Sequence, residues 1–113
     1  MMNSKRIFLI AISSILSGYI SYADDILKVT LRIENGKVVE GPKVIKLRKD
    51  AIVDLTVICD SIDEIHIHGY NIISKLSPHQ PTTLRLVARH TGRFTFELHK
   101  ADIELGAFEI YPN

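Results

Sequence analysis

From residue 26 to residue 34, apolar and polar side chains alternate. Leu27, Val29, Leu31 and Ile33 fall on one face, and Lys28, Thr30, Arg32 and Glu34 on the other. A period of two over this length predicts a half-buried strand. Asn35-Gly36 predicts a type I′ hairpin turn, because both of its central residues need positive φ, and residues 37–39 predict a short return strand that Gly41-Pro42 breaks. Alternation resumes over residues 43–49 with Ile45 and Leu47 inward. After a turn at Asp50, residues 51–60 read as a central strand with Val53, Leu55, Val57 and Cys59 on its core face. Asp60-Ser61-Ile62-Asp63 is a polar turn, residues 71–81 read as a longer loop with Pro78 and Pro81 in its rigid part, and residues 83–89 form a strand with Leu84, Leu86 and Ala88 inward. Two further strands, over residues 92–99 and 105–111, close the chain. No stretch keeps a helical period. Seven to eight short strands separated by Gly, Pro, Asn and Asp turns predict an all-β sandwich.

Two strands carry an unusual polar face. In residues 63–71, His66 and His68 stand two apart and so point the same way on a strand, with Ile65 and Ile67 opposite. In residues 91–99, Phe94, Phe96 and Leu98 form one face, and Thr95, Glu97 and His99 the other. If the two strands are neighbours, three imidazoles and a carboxylate gather on one surface. The competing reading is an ordinary outward face of a half-buried sheet, which needs polar residues anyway. His79 and His90 fall in predicted turns and read as solvated, and Cys59 reads as a buried, inert apolar residue.

The first residues predict a targeting segment. Lys5 and Arg6 precede an apolar run over residues 7–16, and Ser21-Tyr22-Ala23 places small residues at −3 and −1 of a cleavage site. This is the layout of a secretory signal peptide over residues 1–23, and the run is short for a membrane span. The expected mature domain is residues 24–113, periplasmic or secreted, with no membrane span after cleavage. Of the 14 basic residues, Lys5 and Arg6 leave with the leader, so 12 face 13 acidic ones, a formal charge of −1. That balance gives no support for nucleic acid as partner. With Cys59 the sole cysteine, no intrachain disulfide forms, and the domain must be held by its core, with or without help from a metal.

Lys49-Asp50 with Val53-Asp54-Leu55, the histidine stretch, Pro78 in a loop, Thr91-Gly92-Arg93-Phe94 with Phe96, and Gly106 before the final strand together resemble the cupredoxin family. The likeness is to small exported bacterial cupredoxin-like domains with a His-x-His-Gly-Tyr and a Glu-Leu-His stretch. It implies a Greek-key β-sandwich with the histidine strand and the strand of residues 94–99 adjacent in one sheet. It also implies a copper site at one end, with His66 matching the first histidine ligand. The family's cysteine ligand falls at or next to Leu98, and the loop from Lys100 to Leu105 holds neither the second histidine nor the axial methionine. A blue-copper centre needs a thiolate, so electron transfer in its usual form is rejected.

A histidine site needs no thiolate. Imidazole suits Cu(II), Zn(II) and Ni(II), and directly opposed Cβ atoms on paired strands lie about 5 Å apart. In the implied sandwich, His66, His68 and His99 share an ion, with Glu97 or water completing it. Copper is the expected ion, with zinc as the alternative. Asp63 with His66, or Glu97 with His99, has the makings of an acid/base pair. No nucleophile with a base and an orienting group accompanies either, and no enzyme is expected. The His-x-His pattern also occurs in cupins, whose later glutamate has no counterpart at residues 71–75. The functional expectation is a periplasmic carrier or buffer for copper; the alternative is a metal-free interaction module for another exported protein.

Overall fold

The computed structural model describes residues 25–113; the expected signal peptide, residues 1–23, lies outside the described residues. The described chain is all-β, with nine strands: β1 (Ile26–Glu34), β2 (Lys37–Glu40), β3 (Val44–Arg48), β4 (Ile52–Cys59), β5 (Asp63–Ile67), β6 (Ile72–Leu76), β7 (Thr82–Val87), β8 (Gly92–Leu98) and β9 (Ile103–Tyr111). They form two mixed sheets, one in the order β2-β1-β4-β7 and one in the order β3-β9-β8-β5-β6. β1 runs parallel to β4 and β3 parallel to β9; the remaining pairs are antiparallel.

The alternation dictates the packing. Leu31, Ile33, Val53, Leu55, Val57 and Cys59 of the first sheet face Ile65, Ile67, Phe96, Leu98, Phe108 and Ile110 of the second, and all are buried. Phe96 and Phe108 meet at 5.4 Å between ring centroids in a tilted arrangement, and aromatic pairs of this kind add to simple area burial. Cys59 is 1% exposed, in keeping with the core position that its strand predicts. The Asn35-Gly36 turn has φ of 52° and 73°, the double positive that a type I′ hairpin demands.

The structure differs from the sequence reading in the segment after β5. Residues 72–76, read as loop, are strand β6, paired antiparallel to β5 through Ile65–Ser74 and Ile67–Ile72. Ile72, Ser74 and Leu76 point inward and Ile73 outward, 60% exposed, so the hydrophobic alternation that marks a strand is broken at Ile73 and Ser74. The ladder to β5 outweighs that pattern. With β6 and the short β2 both formed, the strand count is nine rather than seven to eight.

Candidate metal centre

β5 and β8 lie side by side, with Ile65 opposite Leu98, His66 opposite Glu97, and Ile67 opposite Phe96. Burying Ile65, Ile67, Phe96 and Leu98 leaves His66 and Glu97 no choice but the outer face, because successive side chains alternate. Between β8 and β9 the register steps from Phe96–Gly106 to Glu97–Glu104, a bulge with Leu105 as the extra residue. Bulges re-aim side chains at sheet positions of this kind. His99 follows the end of β8; its N–H donates to Glu64 O at 2.9 Å, carrying the ladder one step further.

His66 and His99 stack face to face, with ring centroids 4.5 Å apart and planes 6° apart. One ligand atom from each of His66, Glu97 and His99 falls in a group spanning no more than 4.8 Å, the only such group among the described residues. Metal–nitrogen bonds are about 2 Å long, so ligand atoms on one ion lie at most about 4 Å apart. Ring nitrogens donate in the plane of the ring, and two stacked planes 6° apart do not converge on one ion, so sharing a metal requires the exposed His99 ring to turn out of the stack. His68 lies one residue past β5, with its side chain 54% exposed, and its Nε2 sits 3.2 Å from Glu97 Oε1. It thus touches the carboxylate while standing outside the three-residue group. His79 and His90 lie elsewhere: the His79 N–H donates to Cys59 O at 2.7 Å, and the His90 N–H donates to Tyr70 Oη at 3.0 Å.

Glu64 is a member of this face that the sequence reading missed. Its Oε1 lies 3.2 Å from His66 Nε2. The signal was available, since residues 64, 66 and 68 share one side of a strand. A carboxylate on one ring nitrogen fixes the tautomer and leaves the other nitrogen free as a ligand. Asp63, the carboxylate weighed as a partner of His66, points the other way and is buried, 4% exposed. It accepts three backbone hydrogen bonds, from Glu64 N at 2.7 Å, Lys100 N at 2.7 Å and Ala101 N at 3.1 Å. Burial pushes its carboxyl upward, but the three donors and the Lys100 charge outweigh burial and hold it below the usual carboxylate range. Glu97 and His99, the other pair weighed, do come together in the three-residue group.

The arrangement therefore offers two imidazole nitrogens and a carboxylate oxygen on an open sheet face, with Glu64 and His68 bonded behind two of the three. Borderline divalent cations take such a donor set; a soft thiolate or thioether donor is absent from it.

No family model matches the chain, and no curated protein matches it in sequence. Solved structures do match in fold. A copper-binding protein determined by NMR in its apo form aligns with a TM-score of 0.63 at 15% identity, over 75% of this chain and 87% of that one. The metal-binding domain of a Cu(I)-exporting P-type ATPase from Streptococcus pneumoniae, determined with Cu(I), aligns with a TM-score of 0.56 at 18% identity, over 76% and 95%. A copper nitrite reductase from Nitrosomonas europaea aligns with a TM-score of 0.63 at 15% identity over 79% of this chain, which spans 42% of the enzyme's. At these identities the likeness is one of fold, and the fold is the cupredoxin-like β-sandwich.

Proposed function

We propose that this protein is an exported copper-binding domain, a carrier or buffer in the periplasm, that holds Cu(II) through His66, Glu97 and His99 with His68 assisting. The observation that carries the reading is the convergence of the three ligand atoms within 4.8 Å on one sheet face. The copper proteins among the structures of like fold support the choice of ion, and zinc is the alternative that the donors also suit. The reading is of binding rather than catalysis. The signal-peptide layout of residues 1–23 supports export.

The test is titration of the mature domain with Cu(II) and Zn(II), for the wild type and the five His→Ala variants. His66→Ala and His99→Ala should each weaken Cu(II) binding at least roughly tenfold, His68→Ala should weaken it less, as a partner behind the ligand does, and His79→Ala and His90→Ala should leave it unchanged. Bound Cu(II) should show weak ligand-field absorption and no intense blue band, because no thiolate is present. Affinity should fall on acidification, since protons compete for the imidazole nitrogens. Equal affinity across all five variants would retire the site. It would favour the interaction-module reading, to which the exposed Ile62 and Ile73 beside the histidine strand then lend themselves.

A further inference from the structure

We infer that Asp63 is a positioning residue for the metal centre: its buried carboxylate fixes the turn that presents His99 to His66. Asp63 lies on the core-facing side of β5, across the strand from the candidate ligands. It touches no ligand side chain among its hydrogen bonds. What it holds is the backbone just after His99. Lys100 N and Ala101 N donate to its two oxygens at 2.7 and 3.1 Å, and Glu64 N, beside His66, donates at 2.7 Å. The turn closes on itself through Asp102 N to His99 O at 3.2 Å, with Asp102 at a φ of 57°.

In such a turn the central N–H groups have no ladder partner, and the Asp63 carboxylate, itself 4% exposed, offers them an acceptor. One carboxylate satisfies both. Because Asp63 itself opens β5, the strand that carries His66, its carboxylate ties the turn after His99 to that strand. Apart from that clamp, the His99 backbone is held by its N–H to Glu64 O and by its carbonyl, which accepts from Asp102 N within the turn, and the residue is exposed. The parallel ring stack therefore depends on where the turn is set. Geometry held by a rigid outer partner is what separates a metal site from scattered histidines.

The test compares the wild type, Asp63→Asn, and Val53→Ala in the opposite sheet as a control for general loss of stability. On the metal-free proteins, NMR reads ring-to-ring NOEs between His66 and His99, and amide exchange at Lys100 and Ala101. The wild type and Val53→Ala should show the NOEs and slow exchange. Asp63→Asn should lose the NOEs and exchange both amides roughly tenfold faster or more. Cu(II) affinity should fall about tenfold in Asp63→Asn, hold in Val53→Ala, and fall no further in Asp63→Asn/His99→Ala than in His99→Ala alone. Intact NOEs in a folded Asp63→Asn would overturn the inference. Fast exchange of the two amides in the wild type would overturn it without any variant. If Asp63→Asn does not fold, Asp63→Glu, which keeps the carboxylate but displaces it by a methylene, carries the same readouts. The affinity arm rests on the copper reading. A wild type that binds no Cu(II) removes that reading, while the NOE and exchange arms still decide the role of Asp63.

Discussion

Three carboxylates belong to the strands of the histidine pair, and each has a different task because each has a different environment. Glu97 is half-buried and faces the rings; Glu64 backs His66; Asp63 is buried and bonded to backbone. The Asp63 carboxyl is held below the usual range, by donors that favour the charged form over the cost of burial. The sign of its effect on stability follows. A group whose pKa is lowered by folding stabilises the fold fully above its unfolded value, about 3.9 for aspartate, and loses that contribution as pH falls through the folded value. Asp63→Asn removes one acceptor from a buried trio and should cost about 1–3 kcal/mol near neutral pH. Urea unfolding at about pH 6, 4 and 3 should show the gap between wild type and variant narrowing as pH falls. A gap that widens on acidification would show that Asp63 is not held charged. Asp54 is likewise lowered, by its hydrogen bond from Arg85, but it lies at the surface, where such pairs contribute little.

At the level of elements, the outer face depends on two local devices. One is the Leu105 bulge, which sets the Glu97 register against β9. The other is Gly106, where β9 passes the end of β3. A Cβ built there would lie 2.0 Å from Lys43 O and 2.9 Å from Phe96 Cζ. The first neighbour is backbone, which cannot swing aside, and Ala107 N already donates to that same oxygen at 2.9 Å. Gly106→Ala should therefore push β3 from β9 and cost about 2–3 kcal/mol, as overpacking in a close-packed interior does. Thermal and urea unfolding check it. At Gly36 a Cβ would meet Ile103 Cδ1, the flexible tip of a side chain, so the penalty for alanine there lies in the positive φ and should be about 1 kcal/mol. An equal loss at the two positions would argue against the close approach at Gly106.

As a whole molecule, the described domain holds together by one core between two sheets, without a disulfide, its one cysteine being free and buried. The chain passes from one sheet to the other between β2 and β3, β3 and β4, β4 and β5, β6 and β7, and β7 and β8. β5 and β8, the strands that carry the candidate metal centre, are separated in the chain by β6 and by β7 of the opposite sheet. A metal that binds this assembled face and not the unfolded chain must stabilise the whole fold, by about 2.7 kcal/mol at a free-ion concentration a hundredfold above Kd. Cu(II) should therefore raise the melting temperature of the mature domain, a chelator should reverse the rise, and His66→Ala should cut it to about half or less. A melting temperature indifferent to copper would contradict the proposed site.

The sequence by itself determined which side of each strand faces the core. Leu31 and Ile33, Val53 to Cys59 at every second position, Ile65 and Ile67, and Phe96 and Leu98 are all buried as their alternation dictates, because a pleated strand next to a core admits only one assignment of its two faces. It also placed the Asn35-Gly36 turn, whose backbone few other residues adopt. What it did not decide is what lies across from what. β6 is a strand because β5 offers it a ladder, despite the break in its alternation at Ile73 and Ser74. The parallel pairs β1–β4 and β3–β9 follow from crossings between sheets that alternation does not encode. The position of Asp63 belongs with these. In the sequence it is one more acid in a polar turn; in the fold it is the buried acceptor for a turn 37 and 38 residues away. Pairing between distant segments is settled by the joint packing of both sheets, and that sum is not written in any single stretch of the chain.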